Sequence, residues 1–215
     1  MRKIAVLNQK GGSGKTTLSV NLARALQLAG HPVQLVDSDP QGSARDWAEA
    51  GGIELMEVIG LDRKTLLASL EGKKKGEGFI IIDGCPQASE MAVAAIRAAD
   101  LVLIPVQPSP YDIWAAAELV DLVKTRQEVT DGRPLAAFVV SRSIKSTKLA
   151  GEVAEALNDY GLPTLNAGTT QRVVYASTAG EGKTVFEEPQ SKAAQAEVQD
   201  IAREALALLE GQYGA

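Results

Sequence analysis

This chain has few of the residues that build metal clusters and nucleophilic triads. Its 215 residues include one cysteine, Cys85, and one histidine, His31, and aromatic residues make up only 4%. A lone cysteine excludes a disulfide framework and a Cys-rich metal site, and a lone histidine gives poor support to a zinc centre or a Ser-His-Asp triad. The chemistry of the chain is therefore expected from glycine, lysine, hydroxyl and carboxylate groups.

Long apolar segments are also missing. No apolar run reaches the roughly 18 residues of a membrane span, and the first residues lack the apolar core and small-residue cleavage pattern of a signal peptide. The net charge of −5 argues against a protein that binds nucleic acid over most of its surface, but it permits a local basic patch. We expect a cytoplasmic protein without membrane attachment, folded as one domain over residues 1–215.

Apolar runs of strand length alternate with helical patterns along the chain. Strands are predicted at Ile4–Asn8, Pro32–Asp37, Phe79–Asp83, Leu101–Val106 and Leu135–Ser141, with weaker ones at Ile53–Val58 and Pro163–Asn166. Helices are predicted at Thr16–Ala29, Ser43–Ala50, Ala88–Ala98, Ile113–Gln127, Ser146–Tyr160 and Ser191–Leu209. Nearly continuous apolar strands that alternate with helices predict an α/β fold, in which a mostly parallel, twisted sheet is flanked by helices.

A glycine-rich turn follows the first predicted strand and opens the first predicted helix. Glycines here let backbone N–H groups close around phosphate oxygens, which bulkier side chains would block. The ammonium of Lys15 is placed to reach the outer phosphates, and the hydroxyl of Thr16 suits a Mg²⁺ coordination position. The positive end of the helix dipole adds to the attraction for an anion. The turn predicts a nucleoside triphosphate site formed by Gly11, Gly12, Ser13, Gly14, Lys15, Thr16 and Thr17.

The start of this turn departs from the usual G-x-x-x-x-G-K-[ST] pattern. Gln9 stands where the pattern has glycine, and Lys10 follows it, so that one short loop holds two lysines. At Lys10 the chain is still leaving the strand, which makes its own bound phosphate hard to reach. Lys10 can instead reach a phosphate held by a second copy of the chain, and the alternative is a solvated surface lysine. We therefore expect both Lys10 and Lys15 to act in catalysis.

Two further predicted strands end in aspartates. The run before Asp83 has the Walker B arrangement, in which a carboxylate holds Mg²⁺, commonly through water. After the second strand, Asp39 is a candidate for orienting the attacking water and Asp37 for supporting the metal shell. The alternative is that these carboxylates cap helices. Ligands collect at the carboxyl ends of parallel strands, so three such aspartates beside a phosphate loop favour a shared site.

These motifs together resemble the deviant Walker A ATPases, the ParA/MinD group of partition and positioning proteins. The resemblance runs the length of the chain. Within the group, the chain is most similar to the short ParF-like proteins that lack an N-terminal helix-turn-helix extension. It implies a three-layer P-loop NTPase fold. The segments that carry it are Lys10–Thr17, Asp37–Gln41, Asp83–Pro86, Pro105–Pro110, Ser141-Arg142 and Thr170–Arg172.

The resemblance assigns a role to each matching residue. It implies that Lys10 is the signature lysine of an ATP-sandwich dimer, Lys15 the phosphate-binding lysine and Asp39 the switch residue that positions water. It implies that Thr16 and Asp83 are the Mg²⁺ ligands. Arg142 is a candidate for stacking on the base, with a surface salt bridge as the alternative. The loop that resembles the adenine side, and a contact between protomers, contains Gln107, Pro108 and Ser109.

The resemblance also implies a function. The cofactors are expected to be ATP and Mg²⁺, with slow hydrolysis, ATP-dependent dimerisation and the capacity for higher-order assemblies. A ParB-type or cargo-adaptor protein would stimulate hydrolysis, and the ATP-bound dimer would bind nonspecific DNA on the nucleoid to partition a plasmid or chromosome. The candidate DNA contacts, with scattered solvated cations as the alternative, are Arg142, Lys145, Lys148, Arg172 and Lys183.

Several other classes of protein share some of these sequence features. A positioning ATPase for a protein cargo and an ATP-dependent small-molecule synthetase would both use this phosphate loop. A nitrogenase-type iron protein would need two cysteines per subunit, which Cys85 alone does not supply. A dinucleotide fingerprint starting at Gly12 would need glycine where Thr17 stands. Membrane attachment is disfavoured because Ser191–Leu209 mixes acidic and basic residues rather than forming a basic amphipathic tail.

Overall fold

A computed structural model describes residues 1–61, 65, 70, 77–86, 90–144, 153 and 155–211. Its strands are β1 (Arg2–Val6), β2 (Val33–Asp37), β3 (Val58–Gly60), β4 (Phe79–Asp83), β5 (Leu101–Val106) and β6 (Leu135–Val140). Its helices are α1 (Lys15–Leu28), α2 (Ser43–Glu49), α3 (Glu90–Ala98), α4 (Pro110–Ala115), α5 (Ala117–Glu128), α6 (Val173–Gly180) and α7 (Lys192–Leu209). Short 3₁₀ turns lie at Gly52–Glu54 and Val185–Glu187.

The six strands form one sheet in the order β3-β2-β4-β1-β5-β6, and every described pair is parallel. Val6 is in register with Asp83, and Asp37 is in register with the same residue. The three strands that precede the predicted site therefore end side by side at one edge of the sheet. Parallel strands place the loops after them at this edge, which is where ligands of such sheets bind.

Side chains alternate between the two faces of the sheet, and each face carries its own apolar core. Ile4 and Val6 of β1 belong to the core formed with α1, α2 and α7. Ala5 of β1 belongs to the core on the opposite face, formed with α3 and α5. Because a strand buries successive side chains on opposite sides, its apolar run is continuous when both faces are covered. The predicted three-layer α/β class is confirmed.

The main strands and helices lie within two residues of their predicted bounds, but the two weaker strands were wrong. In place of Ile53–Val58, a 3₁₀ turn precedes a strand at Val58–Gly60, and Ile53 lies exposed. Pro163–Asn166 is reduced to one isolated bridge between Thr164 and Phe138. Backbone hydrogen bonds join Phe138 to Pro163 and Leu165, and the pairing ends at Asn166, whose N–H donates to the carboxylate of Glu204 on α7.

The helices also differ from the prediction in three places. The predicted helix Ile113–Gln127 is two helices, because Pro110 starts α4 early and Ala116 separates α4 from α5. Helix α6 was missed, since its start combines adjacent β-branched residues with weak amphipathic periodicity. Most of the predicted helix Ser146–Tyr160 lies outside the described residues, and within it residues 155–158 are helical.

Candidate nucleotide-binding site

The glycine-rich turn between β1 and α1 is an open loop of backbone. Gly12 has φ 76° and Gly14, which caps α1, has φ 96°, a left-handed conformation that favours glycine. Two neighbouring loops fix its carbonyls: the Gln107 amide donates to the carbonyl of Gly12 at 2.8 Å, and the Ser141 hydroxyl donates to that of Ser13 at 2.9 Å. These bonds hold two carbonyls of the loop, and a glycine-rich loop of this kind can offer its N–H groups to an anion.

Lys15 lies at the base of this loop and is buried, with 7% of its surface exposed. Its ammonium donates to the carbonyl of Lys10 at 3.1 Å. Burial lowers the pKa of Lys15, while the nearby charges of Asp83 and Asp39 raise it. A buried ammonium that donates to a carbonyl gains from the charge of a phosphate oxygen, and the role of Lys15 in holding the phosphates stays a prediction.

Asp83 accepts hydrogen bonds from two hydroxyls of α1. Thr16 donates to its Oδ2 at 2.7 Å and Ser19 donates to its Oδ1 at 2.9 Å. Thr16 and Asp83, both predicted as Mg²⁺ ligands, are therefore in contact, and their role at the metal stays a prediction. Ser19 was missed, although its spacing of three residues from Thr16 places both hydroxyls on one helix face. The structure thus adds a second hydroxyl that orients the Asp83 carboxylate.

The donor set fits Mg²⁺ held together with phosphate oxygens and water. Among the described residues, no group of three or more His, Cys, Asp or Glu side chains could hold a metal ion by itself. Hydroxyl and carboxylate oxygens are the ligands that Mg²⁺ prefers, and it usually keeps waters and uses substrate phosphates. Buried Ser13 Oγ has no hydrogen-bond partner within the described part of the chain, so the loop also carries a polar group that a ligand can satisfy.

Asp83→Asn is expected to stabilise the nucleotide-free chain at alkaline pH. Burial raises the pKa of Asp83 from its usual 3.8 to about 7, and hydrogen bonds from Thr16 and Ser19 only partly offset this. Between these values the folded chain holds a proton that the unfolded chain has lost, so the free energy of unfolding falls as the pH rises. The substitution removes that cost, which is on the order of 4 kcal/mol for a rise from 3.8 to about 7, and should raise Tm by about 8–16 °C at pH 8.

Thermal melts of both chains without nucleotide at pH 5 and pH 8 measure this effect. At pH 5 the folded Asp83 is protonated while the unfolded carboxyl is already largely ionised, so the difference in Tm between the two chains should be less than about half of that at pH 8. The same difference in Tm at both pH values would contradict the assignment of the cost to ionised Asp83.

Asp37 and Asp39 both hold the loop after β2. The Asp37 carboxylate accepts from the N–H of Asp39 at 2.9 Å and from the N–H of Arg45 at 3.0 Å, and the Arg45 Nε lies at 3.4 Å. Asp39 accepts from the N–H of Gln41 at 2.9 Å. Asp37 therefore makes the capping contacts of the alternative interpretation, and its support of a metal shell stays a prediction. Asp39 is buried beside the phosphate loop, and its charge acts on Lys15.

Lys10 points away from the loop that it starts. Its ammonium forms an ion pair with Asp112 of α4, with Nζ and Oδ2 2.5 Å apart. The Asp112 side chain is 3% exposed and that of Lys10 is 40% exposed, so the Lys10 side chain is partly accessible to solvent while its partner is buried. In this state Lys10 is held by its own chain, and its transfer to a second copy stays a prediction.

A cavity of about 900 Å³ adjoins the phosphate loop on the side of β6. Its lining includes Gly14 and Thr17 of the loop and Arg142, whose φ of 52° is uncommon for a residue with a side chain. Arg142 thus lies where a base attached to a loop-bound phosphate would sit. Gln107, Pro108 and Ser109 are not among the described residues that line this cavity; Gln107 contacts the phosphate loop instead.

The predicted DNA contacts do not form one set of available cations. Arg172 pairs with Glu197 at 2.8 Å and lines the cavity, and exposed Lys183 pairs with Glu181 at 2.7 Å. Lys145 and Lys148 lie outside the described residues. Arg142 is exposed at the mouth of the cavity. Within the described part of the chain, no helix has the length and apolar character needed to cross a membrane.

Curated relatives share most of the chain. It is 37% identical over 191 residues to "Maintenance of carboxysome distribution protein A" of Gloeobacter kilaueensis, covering 86% of this chain and 84% of the relative. It is 31% identical over 189 residues to the protein of the same name from Halothiobacillus neapolitanus, covering 86% of each. "Protein ParA" of Rhizobium radiobacter is 29% identical over 182 residues, 82% of each.

Solved structures share the fold at lower identity. An ATP complex of a McdA variant from Cyanothece superposes with a TM-score of 0.78 at 17% identity, covering 96% of both chains. The septum site-determining protein MinD of Pyrococcus horikoshii, complexed with Mg-ADP, gives 0.75 at 20% identity, covering 100% of this chain and 99% of the other. A cobyrinic acid a,c-diamide synthase of Mycobacterium smegmatis with a bound ATP analogue and magnesium gives 0.75 at 19%, covering 96% and 94%.

The family comparison agrees with the geometry of the site. A family model described as the CobQ/CobB/MinD/ParA nucleotide binding domain matches residues 4–185, which contain the phosphate loop, Asp37, Asp39, Asp83 and Arg142. The predicted ParA/MinD resemblance is confirmed at this level, while the ParF-like subclass stays a prediction. This chain belongs to the CobQ/CobB/MinD/ParA family of nucleotide-binding domains.

Proposed function

We propose that this chain is a slow ATPase that dimerises around ATP and uses the ATP-bound dimer to position a cargo. It binds ATP with Mg²⁺, the ligands for which the hydroxyl and carboxylate donors of the site are suited. The observation that carries the proposal is the second lysine of the phosphate loop. The side chain of Lys10 is partly exposed and pairs with Asp112 rather than with its own loop, so a second copy of the chain can take its ammonium.

The residues of one protomer bind the triphosphate, and the other protomer supplies one further positive charge beside it. Loop amides and Lys15 hold the phosphates, Thr16 and Asp83 face the metal position, and Asp39 orients the attacking water. Mg²⁺, when bound, neutralises charge on the phosphate oxygens. Lys10 of the second copy then stabilises the charge that develops as the bond to the outer phosphate breaks. Each site is incomplete in the monomer, so hydrolysis is tied to dimerisation.

An ATPase of this kind acts as a timer. ATP holds the dimer until hydrolysis lets the two copies separate, and a stimulating partner shortens that interval. Slow intrinsic turnover prolongs the time for which the dimer holds its cargo, because the cargo is held only while ATP is intact. The partner is a cargo adaptor or a ParB-type protein.

A protein assembly is the favoured cargo. Two relatives at 31% and 37% identity, each matched over more than four fifths of its length, carry names that refer to carboxysome distribution. Plasmid or chromosome partition is the second candidate, and the ParA relative at 29% identity favours it. In both cases we propose that the ATP-bound dimer binds nonspecific DNA on the nucleoid, with exposed Arg142 contributing. A dimer doubles such a surface, and binding through phosphates weakens as salt rises.

The test is ATP turnover measured alone, with duplex DNA, and with DNA plus the product of the neighbouring gene. We expect dimer formation by light scattering only with ATP, and turnover that rises at least about tenfold with DNA and partner. Binding to DNA should disappear between 50 and about 300 mM salt. Turnover that ignores DNA and protein but depends on a small acceptor would instead identify a synthetase on the same fold.

A further inference from the structure

One carboxylate of α7 accepts hydrogen bonds from three residues at the cavity beside the phosphate loop. Glu197 accepts from the Thr170 hydroxyl at 2.7 Å and from the Thr170 N–H at 3.2 Å. It also accepts from the Arg172 guanidinium at 2.8 and 3.1 Å and from the Tyr175 hydroxyl at 3.0 Å. Three residues of one chain segment are thus tied to a single side chain on another helix.

The three tied residues all line the cavity that adjoins the phosphate loop. Thr170, Arg172 and Tyr175 contribute to its lining, as do Gly14 and Thr17. Glu197 itself stands behind this lining, while the next residue, Val198, contributes to it. The position of one cavity wall therefore depends on a residue that does not line the cavity.

The negative charge of Glu197 strengthens its contacts with the three lining residues. Burial alone would raise the pKa of Glu197, but the hydrogen bonds from Arg172, Thr170 and Tyr175 outweigh it and lower the pKa. The carboxylate therefore stays ionised at neutral pH, and each hydrogen bond to it is strengthened by charge. An uncharged side chain here would leave the segment with donors that have lost their acceptor.

We propose that Glu197 is a positioning residue for the nucleobase: it fixes the wall formed by Thr170, Arg172 and Tyr175 so that the cavity accepts the base of a nucleotide whose phosphates the loop holds. This inference rests on the proposed function, in which the loop holds the phosphates of ATP, and it places the base in the adjoining cavity. It makes base recognition depend on α7, whereas phosphate recognition depends on β1 and α1.

The same helix offers a matched control two turns further on. Glu204 accepts from the N–H groups of Asn166 and Ala167 at 2.8 and 2.9 Å, so it ties a neighbouring segment to α7 in a similar way. Glu204 is not among the described residues that line the cavity. Glu204→Gln should therefore disturb the packing of α7 without disturbing the base.

The experiment compares the affinities for Mg-ATP and for inorganic triphosphate with Mg²⁺ in the full chain. Glu197→Gln should weaken ATP binding at least about tenfold and leave triphosphate binding within about twofold, because only ATP has a base to position. Glu204→Gln should leave both affinities near those of the unsubstituted chain. The ratio of the two affinities is a readout that a general loss of stability would not change.

A milder variant covers the case in which Glu197→Gln folds poorly. Tyr175→Phe keeps the ring in the cavity wall and removes one hydrogen bond to Glu197, and it should weaken ATP binding about two- to fivefold without changing triphosphate binding. An unchanged ATP preference in both variants would overturn the inference alone. If the unsubstituted chain itself binds ATP no better than triphosphate, the cavity takes no base, and that part of the proposed function falls with the inference.

Discussion

Lys10→Ala is expected to abolish ATP turnover while one protomer still binds ATP nearly as well as before. The Lys10 ammonium contacts Asp112 rather than the phosphate loop in its own chain, so its loss should remove little binding energy there. It should remove the positive charge supplied to the second copy, and in related enzymes an arginine supplied in this way is worth about 10³–10⁵ in rate. Turnover by phosphate release and ATP affinity by equilibrium titration separate the two effects.

Two other substitutions serve as controls for Lys10. Lys15→Ala removes the buried ammonium at the base of the loop and should weaken ATP binding itself, by about tenfold or more. Asp112→Asn removes the carboxylate that holds Lys10 but keeps the Lys10 ammonium, so it should retain turnover. Equal losses of ATP affinity in Lys10→Ala and Lys15→Ala would count against the role of Lys10 in a second copy.

The parts of the site that could be predicted from sequence are those encoded within a few residues. The glycines, Lys15 and Thr16 follow one strand and start one helix, so their spacing alone predicts that they lie together where α1 begins. Asp37 and Asp83 end apolar runs, and the ends of neighbouring parallel strands must lie together. The local sequence pattern predicted the phosphate loop, and the geometry of a parallel sheet predicted that the two aspartates lie together.

The contacts that sequence reasoning missed join residues far apart in the chain. Lys10 and Asp112 are 102 residues apart, and no local pattern connects them. Glu197 lies 27 residues beyond Thr170 and looks like any solvated acid on an amphipathic helix. The base side was predicted at Pro105–Pro110 as well as at Arg142, and only the packing of β6, α6 and α7 around the loop shows which residues line the cavity. Contacts of this kind depend on how the helices pack on the sheet.

Asp39→Ala is expected to bind ATP and accumulate as a dimer that does not turn over. Asp39 is buried after β2, where one of its oxygens accepts from the N–H of Gln41. Its removal takes away the carboxylate proposed to orient the attacking water and leaves the phosphate-binding groups in place. Turnover should fall by about 10²-fold or more, the range for a positioned base, while the dimer persists with ATP. Light scattering and phosphate release measure the two outcomes, and undiminished hydrolysis would remove Asp39 from the mechanism.

The two inactive variants, mixed together, test the shared site directly. In a mixed dimer, the protomer with Lys10→Ala keeps its own Asp39 and receives Lys10 from the protomer with Asp39→Ala, so one of its two sites is complete. Random pairing makes half of the dimers mixed, and turnover should return to about one quarter of that of the unsubstituted chain. If Lys10 instead served the phosphate of its own protomer, every site in the mixture would lack one essential group, and turnover would stay at the level of the separate variants.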